Sequence, residues 1–322
     1  MTYLDENGKL VFHDEHHYAK AVFERDQKGR IVKKSYFDSH EQLVFNSDVG
    51  YAKKTYQYNA QGKVEAYAYF EADNKFLLSE KWDFAKRMND YDAQGDIISV
   101  KLFDPNEEPR VSNKLGYAKK IQSYNAQRKL IKVEYYNSDN LPFVNQIKGY
   151  SKITVEYNTE GKITELRYWE PGGRPMLNKK TNVHVVKRTY DDKGNIKRES
   201  YFDTNGQPIL RNRRYSQVLY HYDAFNRFEN AELTDLQGNI VSASKVMIVE
   251  VPPNSVGHTK GLREGDMMQA YDGIEIENSF VLLERSRVQG DQNRVLKIVS
   301  RDGMPKSIDV QPGDLGVTLE NM

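Results

Sequence analysis

The sequence predicts a mainly β protein: about seven tandem antiparallel β-hairpin or meander repeats of 33 residues over positions 1–240, then a small α+β domain over 241–322. Three observations carry this. Large residues recur every 33 positions, at Phe37, Phe70, Phe103, Tyr136, Trp169 and Phe202, with Leu4 one period earlier and Thr234 one residue short of the next, and a fixed period of that size marks a repeat array. A glycine column (Gly29, Gly62, Gly95, Gly161, Gly194) and a tyrosine column (Tyr58, Tyr91, Tyr124, Tyr157, Tyr190 and, shifted, Tyr222) keep the same beat, and only Arg128 interrupts the glycines. The beat stops after Asp235 to Ile240, where a different pattern begins.

Within one repeat, Gly50 to Tyr58 is aromatic-rich and free of proline, which predicts a strand. Asn59-Ala60-Gln61-Gly62 fits a type I turn closed by a left-handed glycine, the loop of a hairpin with a bulge. Lys63 to Phe70 is then the returning strand. A second turn follows, clearest in Asp203-Thr204-Asn205-Gly206, where the aspartate caps the backbone and glycine supplies positive φ. A short third strand, such as Leu43-Val44-Phe45, is expected next. The large residues at 37, 70, 103, 136, 169 and 202 are expected to stack from unit to unit, because one hairpin does not bury a core alone. An open sheet, a superhelix and a closed shell all fit this pattern.

Tyr190-Asp191-Asp192-Lys193-Gly194-Asn195-Ile196 and Tyr201-Phe202-Asp203-Thr204-Asn205-Gly206 resemble the YD repeats of Rhs-type bacterial proteins. The resemblance implies a β-structure of the kind that encapsulates a toxin or is displayed on a surface. The period here is longer than the usual YD unit, and seven units are few for a complete capsule.

Beyond residue 240, the run Val246 to Val251, then Pro252-Pro253-Asn254-Ser255, Gly261-Leu262-Arg263-Glu264-Gly265-Asp266 and Ala270 to Ile276, resembles bacterial PDZ domains. Gly261 is suited to end a short helix, Leu262 to plug the core and Gly265-Asp266 to form a capped turn. Ser279 to Val288 reads as a helix with one buried face; Arg294 to Val299 and Ser307 to Val310 read as strands. Pro312 to Glu320 resembles the PDZ carboxylate-binding loop and its following strand, yet it comes last, so the resemblance implies a circularly permuted domain. It also implies a peptide site at Leu315, Gly316, Val317, Thr318 and Leu319, walled by Phe280 and Leu283. The plainer alternative is a turn into a closing strand, with the groove filled by the chain's own residues.

Composition narrows the function. Lys plus Arg (47) balances Asp plus Glu (46), which disfavours nucleic acid as a partner. Cysteine is absent, so disulfides and thiolate chemistry are excluded. No apolar run is long enough to span a bilayer as a helix. His13-Asp14-Glu15-His16-His17 alone has metal-ligand composition, and it reads as a solvated loop. The lysine column at 20, 53, 86, 119 and 152 reads as protection of exposed strands, and no catalytic or phosphate-binding motif is present. The expectation is a non-catalytic interaction scaffold without cofactor or metal, whose terminal domain binds a peptide or protein C-terminus. The alternative is an envelope or surface protein whose repeats bind polysaccharide, with the last domain as a cap. Tyr3-Leu4-Asp5 aligns with Tyr36-Phe37-Asp38, which suggests a longer protein; an upstream signal would place it in a bacterial envelope.

Overall fold

The computed structural model describes residues 1–241, 246–276, 279, 282, 286, 293–311, 313 and 315–321. By internal contacts the chain divides into two units, Met1–Val185 and Val186–Met322. Fourteen strands form one sheet in strict sequence order. They are seven hairpins: β1 (Lys20–Arg25) and β2 (Ile31–Phe37), β3 (Lys53–Tyr58) and β4 (Val64–Phe70), β5 (Lys86–Tyr91) and β6 (Ile97–Phe103), β7 (Lys119–Tyr124) and β8 (Leu130–Tyr136), β9 (Lys152–Tyr157) and β10 (Ile163–Trp169), β11 (Val185–Tyr190) and β12 (Ile196–Phe202), β13 (Gln217–Tyr222) and β14 (Phe228–Thr234).

The turns are those the repeat predicts. In the second hairpin Gly62 sits at φ +77°, its N–H bonds the Asn59 carbonyl at 2.9 Å, and the register shifts between Gln57 and Tyr58 as a bulge requires. Two hairpins depart from glycine at this position and keep its conformation all the same, the seventh with Asn226 at φ +65° and the fourth with Arg128 at φ +60°. Its guanidinium pairs with Asp96 of the preceding turn at 2.7 Å.

Pairing is unequal within and between hairpins. Strands of one hairpin pair over six residues, as in β3 with β4, whereas β2 with β3, β4 with β5, β6 with β7, β8 with β9 and β12 with β13 pair over three. Neighbouring hairpins therefore part toward their tips and leave strand-start carbonyls without a ladder partner. The tyrosine column fills this gap. Tyr58, Tyr91, Tyr124 and Tyr157 donate their hydroxyls to the carbonyls of Ile31, Val64, Ile97 and Leu130 at 2.7–3.0 Å, each 27 residues upstream, and Tyr222 reaches Ile196 at 3.1 Å.

The core column lies one residue before the expected one. Tyr36, Tyr69, Leu102, Tyr135 and Tyr201 are buried, while Phe37, Phe70, Phe103, Tyr136, Trp169 and Phe202 are only half-buried on the opposite face. Period-two alternation separates the two columns, and the connecting loops bury the first more fully than the second. From those loops Tyr18, Tyr51, Phe84, Tyr117, Tyr150 and Tyr215 enter the same row, with ring centroids 5.1–6.1 Å apart along Tyr18, Tyr36, Tyr51, Tyr69 and Phe84. The residue after each, Ala19, Ala52, Ala85, Ala118, Ser151 or Ser216, and His184 after Val183 in the remaining unit, is almost fully buried, which keeps that position small in most units. The expected third strand shrinks to single bridges such as Phe37 with Leu43, because the turn between them consumes the residues a longer pairing would need.

In the second unit a further sheet has the order β19-β18-β16-β15-β20, with β17 paired to β16: β15 (Val246–Glu250), β16 (Met267–Tyr271), β17 (Ile274–Glu275), β18 (Arg294–Val299), β19 (Pro305–Val310) and β20 (Thr318–Asn321). Its core is Val246, Ile248, Leu262, Met268, Leu296 and Ile298. A single short helix, α1 (Val256–Thr259), accompanies it among the complete described elements.

Two predictions follow the packing. Tyr157→Phe deletes one hydroxyl and orphans the Leu130 carbonyl, so it should lower stability by about 1–2 kcal/mol, read as a shift in the urea unfolding midpoint. Lys54 lies against Tyr56, Tyr67 and Tyr69, 4.3–5.1 Å from their ring centroids, and burial pushes its ammonium pKa down to about 8. The unfolded chain holds that proton to about pH 10.4, so it binds more protons between those values and stability should rise with pH from 8 toward 10. Burial raises the Tyr51 and Tyr69 hydroxyls, so their contribution is lost only at still higher pH. Lys54→Met should raise the midpoint at pH 7 and flatten this rise.

Candidate functional site

The residues expected to form a peptide site lie at the end of the second sheet. Leu315 is buried in its core, and its carbonyl accepts the Gly257 N–H at 2.7 Å. Gly316 follows at φ +64°, where a Cβ would come within 2.9 Å of the Ser255 side chain. Gly257 is constrained as tightly: a Cβ there would lie 2.4 Å from Val317 Cγ1. The Leu315 to Val317 turn is thus clamped to the start of α1, whose N-cap Ser255 accepts the His258 N–H at 3.0 Å. At the other end Gly261 (φ +77°) terminates the helix. Asp266, buried, then accepts the Arg263 and Arg301 N–H groups at 2.9 and 3.1 Å and ties the loop to the sheet.

After the turn the chain enters β20, the last strand in the sheet order. Its one partner among the described residues is β15, with Ile248 opposite Leu319 and Glu250 opposite Thr318. Thr318 Oγ1 donates to Glu250 at 3.0 Å. Val317 and Leu319 pack on the rim of the core. Among the described residues, no backbone carbonyl accepts from the Leu315 or Val317 N–H. Leu315, Gly316, Val317, Thr318 and Leu319 therefore form one continuous turn and edge strand. Phe280 and Leu283 lie outside the described residues. Ser279, Leu282 and Ser286 are helical and buried, three and four residues apart, so Leu282 holds the inward position that sequence reasoning missed. Small serines at that spacing were the available signal.

Other polar groups depart from the repeat. His16 stacks with Tyr3, His13 lies tilted against the same ring, and His17 Nδ1 lies 3.4 Å from Asp48. Glu199 is buried, accepting Arg188 at 2.7 Å, Arg211 at 3.2 Å and the Tyr201 hydroxyl at 2.6 Å. Burial, reinforced by the Glu199 charge, holds the Tyr201 hydroxyl well above its ordinary pKa. In the other repeats the Glu199 position carries Lys34, Tyr67, Val100, Val133, Leu166 and, after the shift, Ala231, so this ionic centre belongs to one hairpin. A cleft of about 380 Å³ nearby is lined by Tyr190, Asp192, Lys197, Tyr220, Tyr222 and Glu229.

These features define a protein of tandem hairpins whose chain ends in a separate small sheet with an edge strand. No protein-family model matches the chain, and no curated protein does. Among solved structures it is similar to the TcdB2-TccC3-Cdc42 complex (TM-score 0.36, 12% identity, 88% of this chain and 12% of that one). A mutant Tc holotoxin pore of Photorhabdus luminescens (0.31, 11%, 88% and 14%) and TcdB2-TccC3 (0.29, 12%, 88% and 14%) are also similar. The chain spans 12–14% of the length of those chains.

Glu199→Ala leaves two arginines facing each other in a buried site, so it should cost about 3–5 kcal/mol, far more than Glu232→Ala on the same sheet. Thermal melting of the two variants checks this.

Proposed function

We propose that the C-terminal sheet is a PDZ-like, circularly permuted module that takes up an extended peptide or a protein C-terminus, carried on the hairpin array as a non-catalytic scaffold. The observation that supports it is the edge strand β20, preceded by a glycine turn whose Leu315 and Val317 amides have no backbone carbonyl acceptor among the described residues. A peptide adds to such an edge as a further strand, and the amides on either side of a left-handed glycine make a concavity for a carboxylate. Val317 and Leu319 would meet the first side chains of the ligand. Ser255 and Gly257 hold the turn in place, so the anion site is preformed rather than induced.

The test is a C-terminal peptide library against the intact chain. Selected peptides should lose at least tenfold in affinity when their carboxylate is amidated, and Val317→Pro, which deletes one donor, should abolish binding. Equal binding of acid and amide forms would remove the carboxylate site.

A second reading, in which the repeats bind polysaccharide and the terminal sheet is a cap, draws support from the tyrosine-lined cleft at Tyr190, Tyr220 and Tyr222. Glycan-array binding that Tyr220→Ala removes would favour it; a blank array would end it.

A further inference from the structure

Four hairpins share a device that a fifth lacks. The first residue of strands β1, β3, β5 and β7 is a lysine whose ammonium meets a side-chain oxygen 21 residues on: Lys20 with Glu41 at 2.6 Å, Lys53 with Asn74 at 2.6 Å, Lys86 with Glu107 at 2.5 Å and Lys119 with Asn140 at 2.9 Å. All four acceptors sit in the second turn at φ between +58° and +68°. Where the lysine is absent the acceptor is absent too: Val185 goes with Gly206, and Gln217 with Gly238. Lys152 breaks the rule, because the residue 21 positions on is Gly173, at φ +86°.

The gap this leaves is a cavity of about 280 Å³ lined by Lys152, Glu134, Ser151, Glu170, Gly172 and Gly173. A Cβ placed on Gly173 would lie 3.5 Å from the Lys152 ammonium, so the space is where the sister side chains begin. Lys152 stays over the ring of Trp169, 4.9 Å from its centroid, and among the described residues no side-chain oxygen replaces the missing acceptor. Each of the two carboxylates of the lining has one oxygen engaged, Glu134 Oε2 by Lys132 at 2.9 Å and Glu170 Oε2 by the exposed Arg174 at 3.0 Å, and among the described residues the Oε1 of each has no ion-pair or hydrogen-bond partner.

We infer that this cavity binds a small zwitterion of the α-amino-acid class, its carboxylate on Lys152 in place of the missing Glu or Asn oxygen and its ammonium toward Glu134 and Glu170. Charge selects the class. A simple cation meets Lys152, and a polyanion meets two glutamates, whereas a zwitterion answers both signs at once. The volume, at the lower edge of the range for ligand pockets, restricts the ligand to a few heavy atoms. The inference is independent of the peptide-binding reading, which concerns other residues.

Glycine, acetate and methylammonium, each titrated at millimolar concentration into the intact chain and followed by NMR, separate the contributions. Glycine should shift the Trp169 indole and Gly173 amide resonances, with acetate and methylammonium each at least tenfold weaker. Gly173→Asn restores the internal acceptor in a conformation that asparagine tolerates, and it should abolish the glycine response without lowering the melting temperature. Should that variant misfold, Lys152→Gln must give the same loss. Absence of a glycine response, acetate binding as well as glycine, or an unchanged response in the folded variants would each overturn the assignment.

Discussion

The repeat rests on the mismatch between a long ladder inside each hairpin and a short one between hairpins. Six paired residues hold a hairpin together, but only three join it to the next, and the strand-start carbonyl beyond the third pair has no strand partner. A part-buried carbonyl without a partner is costly, and the tyrosine hydroxyl from the next unit satisfies it at the same position each time. The contact needs a side chain long enough to cross the widening gap, rigid enough to keep its aim and ended by a donor; of the aromatic residues only tyrosine combines these with an apolar body that fills the gap. The column is therefore a bonding requirement as much as a packing one.

At the other end of the hairpins the chain solves a different problem. The loop between units must fold over one face, and an isolated two-stranded hairpin has too little surface to hold it. The aromatic row does this by alternating loop and strand residues, Tyr18, Tyr36, Tyr51 and Tyr69, so each loop is gripped by the hairpins on both sides. Side-chain bonds add to the grip: Asn145 donates to the Leu115 carbonyl at 3.0 Å and Asn178 to Lys148 at 3.2 Å, each 30 residues upstream. The price is backbone crowding, since a Cβ on Gly116 or Gly149 would overlap the asparagine oxygen at 2.2 or 2.4 Å. Stability in such an array grows by nearest-neighbour contacts.

Much of this was legible. The period, the hairpin boundaries and the bulged turns follow from Gly62 and its equivalents, because a positive φ at fixed phase has few solutions. The core face was not legible, since Tyr36 and Phe37 are both large and aromatic and only the loop's position decides which is covered. In the terminal sheet, Leu315 to Leu319 were readable as a turn into a strand, but the inward phase of the helix at Leu282 depended on its packing partners. Lys152 looked like one more member of a protective lysine column. Its singularity lies in Gly173, a turn residue far away in sequence whose partnership with the lysine is visible only once both sit at the same sheet position.

That last case shows where local chemistry is to be sought in a repeat protein. Each hairpin is a control for its neighbours, because backbone, register and turn type are shared while side chains vary. A polar group that recurs from unit to unit is explained by the architecture, as the tyrosine hydroxyls are. One confined to a single unit has to be explained there. Glu199 is closed upon itself, with both carboxylate oxygens and the Tyr201 hydroxyl engaged by neighbouring arginines, so its departure makes a buried structural pair. Lys152 departs in the opposite sense: the ammonium is kept, the ring beneath it is kept, and the oxygen alone is gone. A closed departure adds to structure. An open one leaves a cation beside a space where its sisters have an oxygen, and that is where a ligand is to be sought.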